Sequence, residues 1–323
     1  MPKAIMRKTS KNSRTNKKLK RKPLKYSNDL AHKLFAAIVL VSVFIVAVFI
    51  YKFVSLQMKP ILETPRTEMI RIPQGIEKKL KKDEGAFASF RVPILLYHYV
   101  EYIKDKKDTI RQSLNITPDV FEEQVKTLSD AGYTFITAKE LGEVLDGKTN
   151  LPKKPILLTF DDGHWDLDTD VLPILKKYNV KATAYIIPGF IGGSDFLSSQ
   201  QLQDVISSKL VEIGAHTVHH ISLKGKFLPI VQYEVNQSKS MLEKEFHLSV
   251  VSFAYPGGAF DEQAIKVVKD AKFSTAVSTV PGIAQGSANR FFLFRLRPGY
   301  RTGDELLNYI NQTYFPVYFP PKD

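Results

Sequence analysis

An apolar run that ends in two adjacent carboxylates decides how this chain folds: Ile156-Leu157-Leu158-Thr159-Phe160-Asp161-Asp162-Gly163. A short apolar run that is bounded by a polar turn is typical of a strand buried on both faces. Such strands form parallel sheets, whose carboxyl ends meet at one edge and carry the catalytic loops of many enzymes. The stretch therefore predicts a parallel sheet that presents Asp161 and Asp162 at this edge.

The same alternation of apolar runs and amphipathic stretches continues on both sides of this strand. The predicted strands are residues 92–98, 134–137, 156–160, 182–187, 212–215, 251–254, 273–278 and 291–296. The predicted helices are residues 118–131, 138–145, 169–178, 199–207, 229–246, 261–270 and 303–311. Repeated strand and helix units favour an α/β fold, and their number suits a distorted (β/α) barrel of about seven strands better than an open sheet.

Histidines stand at two other predicted strand ends. The segment His216-Thr217-Val218-His219-His220 follows strand 212–215, and His98 ends strand 92–98. Carboxylates and spaced imidazoles are the ligand types of a divalent-metal hydrolase, which also needs a base to take a proton from the attacking water. The two adjacent aspartates are therefore expected to have different tasks at one metal site.

Together these motifs resemble the polysaccharide deacetylases of carbohydrate esterase family 4, the NodB-homology group. The segment 159–163 stands as the family's first motif, the segment 216–220 as its His-x-x-x-His motif, and Phe253-Ala254-Tyr255-Pro256-Gly257-Gly258 fits its third motif loosely. The resemblance covers about residues 90–312. It does not extend to the N-terminal part of the chain.

The resemblance implies a role for each residue of the first two motifs. Asp161 would be the general base, and Asp162, His216 and His220 would hold a divalent cation. Three protein ligands leave an open position for water and the substrate carbonyl oxygen. One carboxylate and two imidazoles accept zinc, which we expect first, but also cobalt, nickel or manganese. His219 is expected to be a neighbour of these ligands and not one of them.

The third motif departs from the commoner family version. Ala254 stands where that version has arginine, and Gly257 where it has tyrosine. The resemblance implies that a backbone N–H of this motif stabilises the oxyanion of the reaction, and Gly257 is the candidate. Another residue must position Asp161. Arg295 or Arg297 can fill this role, although either is equally consistent with a solvated charge at a strand end.

The proton donor to the leaving amine also departs from the commoner pattern. Many family members use a late Leu-x-His element, but no histidine follows His247 in this chain. The segment 92–98 resembles the Tyr-His element of the membrane-associated and biofilm-polysaccharide branch, in which that histidine is implicated as the acid. His98 is therefore the predicted acid, since the ordinary histidine pKa of about 6.5 suits proton donation. His164 is the weaker alternative.

The basic charge of the chain is concentrated at its N-terminus. The formal net charge is +13, of which residues 1–33 contribute +11 and residues 34–323 only +2. Residues 34–51 are uncharged and almost wholly apolar, a length that nearly spans a bilayer. We therefore expect a basic cytoplasmic tail (1–33), a single transmembrane helix (34–51) and an extracellular C-terminal part. A cleaved signal peptide is the alternative to an anchor, but no clear small-x-small cleavage site follows.

A linker separates this predicted anchor from the folded domain. Residues 52–89 contain Pro60, Pro65, Pro73 and a charge run at 77–84, which indicates a stalk. The catalytic domain is expected at 90–323. The chain has no cysteine, so neither a disulfide nor a thiolate ligand is available. No folded basic module accompanies the charged tail, and we expect no nucleic-acid partner.

These features predict a membrane-anchored, metal-dependent enzyme that removes N-acetyl groups from hexosamine units of a cell-surface polysaccharide. Peptidoglycan and poly-N-acetylglucosamine are the leading substrates. An O-acetyl carbohydrate esterase is the nearest alternative, because the same metal and base serve either leaving group. A catalytically silent glycan-binding surface protein is the alternative from another class. The sequence does not indicate the oligomeric state.

Overall fold

The computed structural model describes residues 33, 35, 37–42, 45, 46, 48, 89–105 and 107–311. The chain divides into two compact units, Met1–Thr64 and Pro65–Asp323. The predicted tail (1–33) and stalk (52–89) lie almost entirely outside the described residues, as does part of the predicted transmembrane helix (34–51). Those described between 33 and 48 are helical. No helix among the described residues is both long enough and apolar enough to span a bilayer.

The second unit is built around one curled parallel sheet. Within the described residues the strands are β1 (Ser89–Arg91), β2 (Ile94–Tyr97), β3 (Tyr99–Val100), β4 (Asn115–Ile116), β5 (Thr134–Phe135), β6 (Pro155–Phe160), β7 (Ala182–Ile186), β8 (Val211–Ala215), β9 (Ser252–Ala254), β10 (Thr275–Val277) and β11 (Ala284–Gly286). The central sheet has the order β10-β9-β8-β7-β6-β2, and β5 pairs with the start of β6. These neighbours all pair in parallel, which confirms the predicted α/β fold class.

One segment joins the two edges of this sheet. The Leu293 N–H donates to the Ala276 carbonyl of β10 at 2.7 Å, and the Leu296 N–H donates to the Ile94 carbonyl of β2 at 2.8 Å. The predicted strand 291–296 is therefore present only as isolated bridges to these strands. They close the curled sheet into the distorted barrel that the sequence predicts.

The helices lie between the strands, as the sequence predicts. They are α1 (Thr109–Leu114), α2 (Pro118–Asp130), α3 (Ala138–Leu145), α4 (Leu172–Tyr178), α5 (Ser199–Ser207), α6 (Leu228–Phe246), α7 (Glu262–Asp270) and α8 (Gly303–Asn311). The predicted helix 169–178 begins instead with a π-helical turn over Leu167–Val171. Capping boxes fix the starts of α3 and α5, in which Thr137 and Ser198 cap the first turns.

Successive strand residues face two different cores. Leu158 and Ala184 belong to the core that packs against the surrounding helices, whereas Leu157 and Tyr185 belong to a second core inside the curl. Both faces of the strands are buried, which explains their nearly continuous apolar sequences. The curl therefore buries every residue of β6.

Helix α3 lies at the amino ends of the strands. Its Ala138 N–H donates to Thr183 at 3.0 Å, and its Lys139 N–H donates to the Glu212 carboxylate at 2.7 Å. These contacts close one end of the barrel, because Thr183 and Glu212 stand near the starts of β7 and β8. The opposite, carboxyl end carries the motifs singled out in the sequence.

Candidate functional site

The motif residues converge at the carboxyl ends of the parallel strands. Asp161 and Asp162 directly follow β6, and His216 directly follows β8. His98 follows β2, and the turn Pro256–Gly258 follows β9. Since carboxyl ends of neighbouring parallel strands meet at one edge, segments that are far apart in sequence build one site.

Three side chains form a compact group of candidate metal ligands. The Asp162 Oδ1 atom lies 3.4 Å from His216 Nε2 and 3.3 Å from His220 Nε2. One ligand atom from each residue lies within 4.8 Å of the others. Asp162 Oδ1 is buried and has no hydrogen-bond partner among the described residues. An orphaned carboxylate oxygen between two imidazoles fits a bound divalent cation, and this donor set suits zinc, cobalt, nickel or manganese.

A backbone carbonyl orients His216 toward this group. Its Nδ1–H donates to the Ala254 carbonyl at 2.7 Å, which leaves the Nε2 lone pair directed at Asp162. The ring is buried, and its backbone N–H is bound to the Ile186 carbonyl at 2.9 Å. Burial opposes protonation of His216, but the nearby carboxylates of Asp162 and Asp161 outweigh burial and raise its pKa. A bound cation would take the place of this proton.

The loop between the two candidate histidine ligands has an unusual backbone. Thr217 and His220 have φ angles of 62° and 53°, in the left-handed region that side chains disfavour. Asp162 is also left-handed, with φ 76°. Residues held in such conformations cluster at functional sites, where the surrounding structure must hold them in place.

His219 lies outside the candidate ligand group, where the sequence analysis expects it. Its Nδ1 is 2.7 Å from Glu234 Oε1, and about half of the side chain is exposed. The other Glu234 oxygen accepts hydrogen bonds from the backbone N–H groups of Val218 and His219, at 2.8 and 3.0 Å. Sequence reasoning missed Glu234. The available signal was a carboxylate on the apolar face of α6, between Val231 and Val235.

Arg295 binds Asp161, the aspartate of the site that is not a candidate metal ligand. Its guanidinium donates two hydrogen bonds to Asp161, each 2.7 Å long, and a further one to the Ser278 carbonyl at 2.7 Å. Burial would raise the pKa of Asp161, but the guanidinium outweighs burial and holds the pKa below its ordinary value. Asp161 is therefore ionised at neutral pH and can accept a proton. Of the two arginines that the sequence offers, Arg295 makes this contact, and Arg297 is exposed.

His98 is half-buried beside these charged groups. Burial lowers its pKa to about 4, although the charges of Asp162 and Asp161 act in the opposite direction. This pKa is well below the ordinary value on which the prediction of an acid rests, and the reason is loss of solvent around the ring. His98 is consequently neutral at pH 7 in the protein without substrate.

His164, the alternative acid, is buried in an aromatic stack. Its ring lies 3.8 Å from the Tyr99 ring and 5.0 Å from the Phe196 ring, measured between centroids. Its Nδ1 is 3.1 Å from the Asp195 carbonyl oxygen, and its Nε2 is 3.4 Å from Asp162 Oδ2. These contacts hold His164 between two aromatic rings, with little room to reach a substrate.

The third motif forms a tight turn at the same end of the barrel. Gly257 is exposed and left-handed, with φ 61°, in the 3₁₀ turn Pro256–Gly258. A Cβ added at this position would meet no described atom within 4 Å beyond its two chain neighbours, so a substrate can approach the backbone closely. Tyr255 points the other way, because its hydroxyl donates to the Phe291 carbonyl at 3.0 Å.

The chain is similar to known polysaccharide deacetylases in sequence. The family model described as polysaccharide deacetylase matches residues 148–276. The Bacillus subtilis protein YxkH, which is named as a polysaccharide deacetylase, is 31% identical over 207 residues, 64% of this chain and 71% of that protein. The poly-beta-1,6-N-acetyl-D-glucosamine N-deacetylase of Staphylococcus aureus is 27% identical over 238 residues, 68% of this chain and 81% of that protein.

A solved structure with a similar fold covers the same part of the chain. The Streptococcus pyogenes deacetylase PplD, determined in complex with acetate, superposes with a TM-score of 0.64 and 28% sequence identity. The match covers 69% of this chain and 99% of that one. The curled sheet and its surrounding helices are thus those of a deacetylase barrel.

Proposed function

Because this chain belongs to the polysaccharide deacetylase family, we propose that it removes N-acetyl groups from hexosamine units of a cell-surface polysaccharide with the help of a divalent cation. One observation carries the proposal. The buried Asp162 Oδ1 atom lies between His216 and His220 without a hydrogen-bond partner among the described residues, and an ionised aspartate stands next to it in sequence. This arrangement offers separate groups for holding a cation and for accepting a proton.

The substrate class follows from the relatives. The Staphylococcus aureus protein is named for an amide-cleaving reaction on poly-β-1,6-N-acetyl-D-glucosamine. This likeness supports an N-acetyl over an O-acetyl substrate for this chain, and poly-N-acetylglucosamine or peptidoglycan as the polymer. Hydrolysis of an N-acetyl group consumes one water and yields acetate and an amine, which is cationic at ordinary pH.

Asp162, His216 and His220 are the residues that would hold the cation, and zinc is our first candidate. When bound, a divalent cation polarises the acetyl carbonyl and lowers the pKa of a neighbouring water. Asp161 then takes a proton from that water, as its ionised state allows. Arg295 fixes the direction of the Asp161 carboxylate, because a two-point contact leaves it no freedom to rotate. The exposed Gly257 backbone N–H is our candidate donor to the developing oxyanion.

His98 completes the proton transfers in this scheme. The leaving nitrogen departs only once it is protonated, and His98 is the histidine that directly follows β2 at the same edge as Asp161. A neutral His98 must first receive the proton that it delivers. Asp161 carries the proton taken from the water at that stage and would supply it to His98, since the two side chains are near enough for their charges to act on one another.

We further propose that residues 34–51 anchor the protein in the cell membrane, with the tail 1–33 in the cytoplasm and a catalytic domain (90–323) outside. The basic tail and the uncharged apolar run support this topology. Protease added to intact spheroplasts should then degrade the chain after residue 52. Protection of the C-terminal domain in intact spheroplasts would indicate the opposite topology.

The activity is tested by measuring acetate and amine together. The purified protein would be incubated with peptidoglycan, chitooligomers and poly-N-acetylglucosamine, with and without a chelator, and then with zinc, cobalt, nickel or manganese restored. We expect equal amounts of acetate and free amine, lost with chelator and regained with metal. Acetate release from acetylated xylan alone would identify an O-acetyl esterase. Metal binding without acetate release from any glycan would identify a silent glycan-binding protein.

A further inference from the structure

One buried carboxylate binds the loop that carries both candidate histidine ligands. Glu234 lies on α6 and is 4% exposed. One of its oxygens accepts the N–H groups of Val218 and His219 at 2.8 and 3.0 Å, and the other is 2.7 Å from His219 Nδ1. All three contacts therefore fall between His216 and His220.

The loop needs such a partner because of its backbone conformation. Thr217 is left-handed directly before the two bound N–H groups, and His220 is left-handed directly after them. Consecutive N–H groups in a chain of this kind form a concave anion site, called a nest. Left-handed residues other than glycine persist only where the surrounding structure holds them. The Glu234 carboxylate is the anion that occupies this nest.

We propose that Glu234 is a positioning residue, which fixes the loop so that His216 and His220 face Asp162 before a cation binds. The inference rests on the proposed metal site. Glu234 does not belong to the candidate ligand group, which consists of Asp162, His216 and His220. It acts through the backbone of Val218 and His219. Removal of Glu234 should therefore loosen the histidines without removing a ligand, and should weaken cation binding.

The same helix provides a matched control. Glu243 is also a carboxylate on α6, and it accepts the Val250 N–H at 3.0 Å while pairing with Lys239 at 3.2 Å. It thus binds a loop N–H in a comparable way, but at the end of α6 that leads to β9. Glu243→Ala should perturb the helix and its following loop without moving His216 or His220.

The experiment measures the affinity of the full protein for Co²⁺ by competition with a chelator, together with the Co²⁺ absorption spectrum and the thermal midpoint of the metal-free protein. We expect Glu234→Ala to weaken Co²⁺ binding about 100-fold and Glu234→Gln about tenfold. Losses of this size are typical when a group that orients metal ligands is removed. Glutamine keeps one oxygen for the two N–H groups, which explains the partial rescue. Glu243→Ala should bind Co²⁺ as the unchanged protein does.

Wild-type Co²⁺ affinity in Glu234→Gln would overturn the inference, and this variant decides the question if Glu234→Ala does not fold. An equal loss of affinity in Glu243→Ala would also overturn it, because the effect would then come from general damage to α6. If the unchanged protein binds no Co²⁺, the proposed metal site itself fails. If that protein binds Co²⁺ and the Glu234 variants bind it equally well, only the role of Glu234 fails.

Discussion

Arg295 and Asp161 are joined by two hydrogen bonds of 2.7 Å, and both side chains are almost completely buried. Arg295 belongs to the segment that closes the barrel, between the bridge residues Leu293 and Leu296. Asp161 stands at the end of β6, on the far side of β2 from this segment. Closure of the barrel and positioning of the base therefore depend on the same few residues.

Replacing Arg295 by methionine should destabilise the fold strongly. The substitution leaves Asp161 as a buried charge without its partner, and such losses cost about 3–5 kcal/mol. The free energy of unfolding, measured by urea denaturation, should fall by this amount. Arg297→Met is the control, since Arg297 is exposed and should change the stability by less than about 0.5 kcal/mol. Equal losses in the two variants would contradict a special role for the Arg295 contact.

The pH profile should also move in Arg295→Met. The guanidinium holds the pKa of Asp161 below its ordinary value, so without it burial raises this pKa. The base is active only when ionised, and the acidic limb of kcat/KM should therefore shift to higher pH. The profile would be measured on a chitooligomer at temperatures where the variant is folded. An acidic limb at the same pH in both proteins would show that Asp161 is not the group that titrates there.

His98→Gln should lower deacetylation by a factor that does not depend on pH near neutrality. The pKa of about 4 keeps His98 neutral between about pH 6 and pH 8. The ratio of wild-type to variant kcat/KM should then be constant over this interval. A histidine with the ordinary pKa of about 6.5 would instead be mostly protonated at about pH 6 and unable to receive the proton from Asp161, so the ratio would rise between about pH 6 and about pH 7.5. Such a rise would contradict the effect of burial on His98.

The nature of the leaving group tests the role of His98 separately. An amine must be protonated before it leaves, whereas the leaving group of an activated O-acetyl ester needs no proton. We expect His98→Gln to lose much more activity on the amide than on the ester, with unchanged metal content. Equal losses on both substrates, or an unchanged rate on the amide, would show that the proton comes from another group.

Gly189→Ala should disturb the site from a neighbouring turn. An added Cβ would lie 2.3 Å from the carbonyl oxygen of Val218, a backbone atom in the loop between His216 and His220. Strain of this kind costs about 1–3 kcal/mol, and Co²⁺ affinity should fall together with stability. Gly142→Ala is a milder control, because its closest neighbour is a serine side-chain atom at 3.1 Å. Full stability and Co²⁺ affinity in Gly189→Ala would contradict the tight packing of this loop.

The sequence predicts most of the fold because local signals coincide with the elements. Helix α3 begins and ends where predicted, since Thr137 and Glu140 form a capping box at its start. Strands β6 and β7 end within one residue of their predicted ends, because polar or turn residues follow their apolar runs. The motifs follow apolar runs for the same reason. The sequence alone therefore predicts that Asp162, His216 and His220 lie at one edge of the sheet.

Contacts between distant segments could not be predicted in this way. Arg295 and Arg297 are two positions apart and would share a face in a regular strand, so alternation could not choose between them. The choice depends on how the segment after β11 crosses the barrel. Glu234 was missed because its partners, Val218 and His219, lie in the loop before α6, and local sequence patterns do not show which helix residue contacts that loop. The low pKa of His98 follows from burial, which only the three-dimensional structure shows.

One paired measurement separates the tasks of the two adjacent aspartates. Metal content per folded protein and acetate release from a chitooligomer would be determined for Asp161→Asn and His216→Ala. We predict that Asp161→Asn retains its metal but loses about 10²- to 10⁴-fold in rate, although the unpaired Arg295 lowers its stability. His216→Ala should lose both metal and activity. If the folded Asp161→Asn protein lost its metal as completely as His216→Ala, the assignment of Asp161 as base and Asp162 as ligand would be contradicted.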